Sequence, residues 1–362
     1  MITANPVQTH YQNYPYPTYP LVASVRCCDT YALNLKVLWA RFNNTLPPVE
    51  AAKILIAGCG TFAPYPMAIA NPDVPITALD LSDRSLHRAR LHCLLHGRRN
   101  VTFRCGDLSE QHAIDDRFGF IDSYGVLHHL EDPLAGLKIL AGHLVPGGIL
   151  RIMLYSRYAR REEESIRRAF RLLGINSPRR ARQLLCKAGP GSRLADFMAA
   201  SDETTTVSGL ADALLHPCVH TYRIDELLEM VTQAGMEPLL FGHHGALEDP
   251  AEEILRLRML EKDRQSPGNF VVYLGKKGKP IAANTGDSLV VLNPCLVSSV
   301  SRLSFGTLQI NPRIGCSNPL INGRNRGFLR HFVAPVRRSD LAGDEAGMVT
   351  VYKRLLFLTE YV

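Results

Sequence analysis

The chain has 362 residues, 46% of them apolar, and a formal net charge of +7. That is enough apolar material for one large domain, or for a domain with a substantial appendage, yet no run reaches the ~18–20 apolar residues of a membrane span. The modest positive charge permits nucleic acid as a partner without requiring it, and nine cysteines without paired metal spacing read as core residues or free thiols of a reducing compartment.

In chain order, the first stretch, MITANPVQTHYQNYPYP, has no charged-then-apolar secretory pattern, so a cytoplasmic protein is expected. Residues 10–20 interleave Tyr11, Tyr14, Tyr16 and Tyr19 with Pro15, Pro17 and Pro20. Prolines forbid a regular helix there and favour extended or turn geometry, and tyrosines suit a flap over a pocket. Leu35, Leu38, Trp39 and Phe42 form one apolar stripe of a helix near 30–44.

Residues 53–61, KILIAGCGT, organise the rest of the chain: a buried strand runs into Gly58-Cys59-Gly60-Thr61. Glycines at such a turn let the backbone approach a ligand closely. Asp80 stands 22 residues beyond Gly58, at the end of ITALD, a spacing that suits an acid accepting from ribose hydroxyls. Pro64 and Pro66 predict a short or late helix after the turn, and Ser82 caps the next one, ended by Gly97. VTFRC (101–105) before Gly106-Asp107, FGFID (118–122) before SYGVLHHL, and ILRIMLY (149–155) after the turn Pro146-Gly147-Gly148 read as three more strands. An Asp132-Pro133 cap opens the helix between the last two. Strands alternating with amphipathic helices imply a doubly wound α/β sheet of Rossmann type, with ligands beyond the carboxyl ends of its strands.

Residues 157–219 are arginine-rich and read as a helical insertion covering that crevice, with two helices expected. Its arginines suit an anionic substrate or RNA, or else a solvated basic face interrupted by Glu162, Glu163 and Glu164. A helix at 222–234, capped by Thr221, precedes the runs 237–242 and 269–277, two last strands joined by a charged helical segment. GKKGKPIAANTGD reads as a linker, and the β-prone pieces 288–297, 306–310 and 348–362 as a small β-rich module. The expected organisation is an arm and helix over 1–48, a catalytic domain over 49–277 and a C-terminal extension over 278–362.

ILIAGCGT, LDLS (79–82), GDL (106–108), DSYGVLHHLEDP (122–133) and LVPGGILRIMLYS (144–156), in this order, resemble the class I S-adenosylmethionine-dependent methyltransferases. NYPYP and His220-Thr221-Tyr222-Arg223 resemble a bacterial branch of that family. The resemblance covers roughly residues 11–277. It implies a seven-stranded sheet with the last strand antiparallel, and S-adenosyl-L-methionine as cofactor. It further implies cofactor contacts from Gly58, Cys59, Gly60, Thr61, Asp80, Leu81, Gly106, Asp107, Leu108, Asp122, Tyr124 and Gly125. Gly58 and Gly60 admit the methionine part, Asp80 holds the ribose, Asp107 accepts from the adenine amine beside Leu108, and the loop Asp122–His128 faces the sulfonium. Two departures stand out: Phe62-Ala63-Pro64 replaces the third glycine of the loop, and Gly119 stands where an Asp is common.

Methyl transfer by in-line displacement needs alignment, and needs a base only for a protonated acceptor. His128, His129 and Tyr155 are the candidates for that work, and Tyr14, Tyr16, Tyr222 and Arg223 for the substrate side. His216-Cys218-His220 has a metal-like spacing but no fourth ligand in sequence, so no metal is expected. The expected acceptor is a small molecule or peptide side chain. The alternatives are an RNA methyltransferase using the arginine-rich insertion, or a non-catalytic cofactor-binding scaffold. Against RNA, DSYG is not the Asn/Asp-Pro-Pro-aromatic box of exocyclic amine methylation. A nicotinamide dehydrogenase is disfavoured by the missing third glycine.

Overall fold

The computed structural model describes residues 5–110, 112–276, 288–302 and 306–362. The expected linker from residue 277 onward, and with it the 277/278 boundary, lies outside the described residues.

Seven strands make the main sheet: β1 Ile54–Ala57, β2 Ile76–Asp80, β3 Val101–Cys105, β4 Phe118–Tyr124, β5 Leu144–Leu154, β6 Met236–Phe241 and β7 Phe270–Lys276. Their order is β3-β2-β1-β4-β5-β7-β6. β7 pairs antiparallel with both β5 and β6, and the other pairings are parallel. The fold is thus the Rossmann-like sheet with its antiparallel last strand that the sequence implied. Chain order reverses between β1 and β4, so a crevice opens there beyond the strand ends.

Alternation along each strand sends side chains to two cores. Ile54, Ile56, Phe120, Ile149 and Tyr273 face one, with Leu35, Leu38 and Trp39 of the helix Leu35–Asn43. Leu55, Ala57, Ile121, Leu150 and Ile152 face the other, with Leu137, Leu227 and Leu257 from helices Pro133–Gly142, Ile224–Gln233 and Pro250–Lys262.

Several local expectations shift. Residues 10–13 are helical, because Asn5 accepts from Val7 N and Pro6 opens a helix Pro6–Asn13 ahead of the first interior proline. Pro146-Gly147-Gly148 lies within β5 rather than before it; Gly147, at φ +76°, takes up the register shift opposite Phe118–Phe120. The helix expected to be capped by Thr221 begins after Arg223, whose amide donates to Glu226 Oε2 at 2.9 Å.

The insertion holds four helices, Arg161–Leu172, Pro178–Leu185, Arg193–Ala200 and Val207–Leu215, around its own small core of Phe170, Ala181, Leu185, Phe197, Leu210 and Leu214. The C-terminal segment carries a three-stranded antiparallel sheet, β8 Leu289–Leu292, β9 Val336–Arg337 and β10 Leu358–Tyr361, in order β10-β8-β9. Helices Gly323–His331 and Gly343–Arg354 accompany it, so the first half of the β-prone run 348–362 is helical. The segment packs on the main core: Tyr31 meets Phe357 edge-on at 5.3 Å, and Asn293 Nδ2 donates to the carbonyls of Tyr31 and Leu356. Among the described residues no helix is long and apolar enough to cross a membrane.

Candidate functional site

The turn after β1 is shaped by two glycines in the left-handed region, Gly58 at φ +76° and Gly60 at φ +55°. A Cβ on Gly58 would stand 2.3 Å from a methyl of Val126, and one on Gly60 2.7 Å from the Tyr16 carbonyl oxygen. Asp80, at the end of β2, accepts the Gly60 amide at 2.7 Å on one oxygen and the Ser82 amide at 2.9 Å on the other. Each oxygen keeps a lone pair for a further donor. Burial pushes this carboxyl up to about 6, and the backbone donors pull the other way. After β3, Asp107 accepts the Ser109 amide at 2.8 Å and the Asn5 side-chain amide at 3.0 Å. Gln8 also donates to the Leu81 carbonyl at 3.1 Å, so the helix Pro6–Asn13 lies over this end of the crevice.

One cavity of about 1050 Å³ runs along the strand ends. Gly58, Cys59, Gly60, Asp80, Leu81, Gly106, Asp107, Leu108, Asp122, Tyr124 and Gly125 line it, with Tyr16, His129 and Tyr155. Eleven of the twelve expected cofactor contacts therefore converge, from four segments far apart in sequence. Thr61 does not line the cavity. Its hydroxyl donates to the Pro17 carbonyl and its amide to the Tyr16 carbonyl at 3.2 Å, so it pins the Tyr-Pro arm onto the glycine turn. Asp122 lines the cavity, but its carboxylate is not free to face a sulfonium. Arg151, its partner in β5, grips it with two bonds of 2.7 and 2.8 Å, and both groups are largely buried.

The histidine pair divides. His128 is fully buried and stacks on Tyr155 with ring centroids 3.7 Å apart; it does not line the cavity. His129 does line it, and its Nδ1 donates to the Cys218 carbonyl at 2.8 Å, the proton assigned by that acceptor. Burial holds His129 down to about 3, so its ring is neutral at working pH. Tyr155 is buried, with Arg160 over its ring at 4.1 Å.

Of the four residues expected on the substrate side, only Tyr16 lines the cavity. Tyr14 packs on His10 at 5.5 Å between ring centroids. Tyr222 is held by backbone pairing, its amide donating to the Tyr155 carbonyl at 2.9 Å, and packs into the second core. Arg223 points to Glu261 at 3.5 Å. Both immediately precede the helix Ile224–Gln233. Cys218 and His220 approach to 3.6 Å, but His216 turns away toward His10, so the three do not form one ligand set.

Tyr11 of the expected flap also lines the cavity. Other wall residues were missed: Arg160, Glu203 and Asp212 close the insertion side, and Pro312, Arg313 and Ile314 of the C-terminal segment close the far end. Asp212 had a readable signal, a lone acid in the apolar run VSGLADALL. Arg313 had none, since its place depends on Nε donating to the Asp29 carbonyl at 3.0 Å, 284 residues away. Several arginines of the insertion are committed to acids: Arg160 to Glu163 and Glu203, Arg167 to Glu164, Arg193 to Glu162 and Arg157 to Glu226.

The arrangement suits an adenosine-bearing ligand. Two acids with spare lone pairs stand at the ends of adjacent strands, beside a turn where any Cβ would obstruct.

Residues 55–150 match the family model described as a methyltransferase domain. An uncharacterized protein of Synechococcus sp. is 28% identical over 332 residues, 83% of this chain and 79% of that one. The ubiquinone biosynthesis O-methyltransferase of Idiomarina loihiensis is 34% identical over 99 residues, 26% of this chain and 39% of the enzyme, so the chain matches well under half of that relative. The fold is that of PKMT2 from Rickettsia typhi, solved in complex with AdoHcy: TM-score 0.58 at 15% identity, covering 95% of this chain and 77% of that one. The C-terminal segment, outside the motif resemblance, falls largely within that superposition. The domain match and the sheet order agree, and residues 55–150 carry an S-adenosylmethionine-dependent methyltransferase domain.

Proposed function

We propose that this methyltransferase acts on a small-molecule or peptide nucleophile admitted to the half of the cavity beyond Gly125. The observation that carries the reading is the continuity of the cavity. It joins Asp80 and Asp107 to a chamber walled by Tyr16, His129, Tyr155 and Arg160.

In this reading Asp80 accepts both ribose hydroxyls and Asp107 accepts from the adenine amine, exchanging its bond to Asn5. Leu108 flanks the ring. Bound there, S-adenosylmethionine supplies a methyl group already activated on a sulfonium. The remaining work falls to this chain's residues. Gly58, Gly60 and Gly125 bring backbone close to the methionine end. Tyr16 offers an aromatic face, which favours a neighbouring cation, while Tyr124 and Tyr155, whose rings are already covered by Arg151 and Arg160, help to exclude water. Orientation of this kind is worth up to ~7–11 kcal/mol of barrier. With its Nδ1 proton given to Cys218, His129 offers Nε2 as an acceptor that aims the nucleophile's X–H; a ring held down to about 3 is a weak base. His128 supports Tyr155 by stacking. Residues 49–277 are the catalytic unit, and 1–48 and 278–362 complete its walls. RNA is the weaker reading because so many insertion arginines are paired with acids.

The test is transfer of labelled methyl from S-adenosylmethionine into fractionated cell extract. Label in metabolite or peptide fractions, reduced by Tyr16→Ala, supports the proposal. Label confined to RNA, or no label despite tight S-adenosylhomocysteine binding, overturns it.

A further inference from the structure

A buried cluster beside the acceptor chamber has no part in holding the cofactor. His10 comes from the helix Pro6–Asn13, while Asp212 and His216 come from the end of the helix Val207–Leu215. All three are buried, and one ligating atom from each lies within 4.8 Å of the other two. Nε2 of His10 and Nε2 of His216 are each sealed from solvent without a hydrogen-bond partner.

Nδ1 of His216 lies 2.6 Å from the Cys218 carbonyl oxygen and 3.2 Å from the Cys218 amide nitrogen. We assign the proton to Nδ1 on the shorter contact, which leaves Nε2 a lone pair. A ring anchored to a backbone carbonyl through Nδ1 has the outer-shell arrangement of a metal-ligating histidine. A carboxylate ligand likewise needs an orienting donor, and the Tyr11 hydroxyl bonds Asp212 Oδ1 at 2.9 Å. Two orphaned imidazole nitrogens facing one carboxylate otherwise waste the desolvation of all three groups. The fixed cations acting on Asp212 are Arg160 and Arg167, the latter bound to the His216 carbonyl at 2.8 Å and 3.6 Å from Glu164. They oppose any cation alike, and it is the two imidazole donors that disfavour magnesium and calcium, which take oxygen ligands.

We infer that His10, Asp212 and His216 bind one first-row divalent transition metal, zinc by the chemistry of its donors, clamping the N-terminal helix to the helical insertion. Bonds of ~2.0–2.2 Å place ligand atoms about 3.3 Å apart, so the side chains close by at most about 1.5 Å on metal entry. Asp212 also lines the large cavity, so the cluster borders the acceptor chamber. Sequence spacing did not show this set, because His10 is brought in from 200 residues away and the local Cys218 and His220 take no part.

The test uses the full chain stripped with chelator and titrated with zinc chloride. Calorimetry and elemental analysis are expected to give one zinc per chain. His10→Gln, His216→Ala and Asp212→Asn should each weaken binding by at least about 100-fold, beyond the ~10–100-fold of an outer-shell change. Cobalt in place of zinc should give a spectrum without a thiolate charge-transfer band. Nitrogen NMR of the unsubstituted chain, with labelled histidine, should show two Nε2 signals moving on zinc addition, whether or not the variants fold. No stoichiometric zinc, binding unchanged in His10→Gln and His216→Ala, a thiolate band placing the metal on cysteine, or imidazole signals that stay in place would each overturn the inference.

Discussion

Replacing Asp80 by Asn separates its binding role from its structural one. The carboxyl sits at about 6 against 3.8 for an exposed Asp, because burial penalises its charge. Cys59, Cys105 and Tyr11 face it, and among the described residues no charged partner offsets the burial. Since the folded value is raised, Asp80 contributes stability fully below about 3.8, and that contribution is lost as pH rises through about 6. At ~1.36 kcal/mol per pKa unit, carrying the charge at pH 7.5 costs the fold about 3 kcal/mol. Asn removes that cost, but its NH2 leaves one of the Gly60 and Ser82 amides without an acceptor, a penalty of ~1–3 kcal/mol. The two effects nearly cancel, so the ligand-free melting temperature at pH 7.5 should move little.

Binding should respond differently. Two ribose hydroxyls lose charge-assisted bonds, each about twice a neutral one, and one meets a donor instead of an acceptor. The loss is about 2–4 kcal/mol, or roughly 30- to 1000-fold in affinity. In the parent protein, affinity for S-adenosylhomocysteine should fall about tenfold from pH 7 to pH 5, as the carboxyl takes up its proton. Calorimetry at both pH values, with melting curves alongside, measures all of this. An Asp80→Asn protein that binds within about threefold of the parent, or a parent affinity flat down to pH 5, would show that Asp80 is not the ribose acceptor.

The packing around the site carries three more expectations. Gly60→Ala places a methyl 2.7 Å from the Tyr16 carbonyl oxygen at φ +55°, and should lose about 1–3 kcal/mol by urea unfolding; an unchanged midpoint would mean the arm yields freely. Asp122→Asn leaves the largely buried Arg151 guanidinium without its counter-charge and should lose about 3–5 kcal/mol, with Asp122→Leu/Arg151→Met recovering much of it. Ending the chain at residue 287 strips Leu292, Leu296, Phe332 and Phe357 from the first core. At ~1.5–3 kcal/mol for each buried side chain, the loss rivals a total stability of ~5–15 kcal/mol. The shortened chain should therefore be insoluble or molten by near-UV circular dichroism, and a cooperative melt would rule out the shared core.

The strand-end residues that line the cavity were legible in local patterns of the chain. Gly58, Gly60 and Asp107 occupy turns that follow strands and Asp80 ends one, so their positions relative to the sheet are set by neighbours within a few residues. Strand periodicity and caps such as Ser82 and Asp132 are equally local, and the sheet order follows once β1 to β5 are recognised. The rest was settled by contacts between distant segments. His128 and His129 are adjacent, yet one is entombed against Tyr155 and the other faces the cavity. Asp122 reads as a cofactor-loop acid until β5 delivers Arg151 beside it. Arg313 and Asp212 reach the cavity because the C-terminal segment and the insertion dock on the sheet, and His10 meets His216 because the N-terminal helix folds back over both. Burial and pairing are properties of the assembled surfaces, and a linear pattern carries only the half of each contact that lies on its own segment.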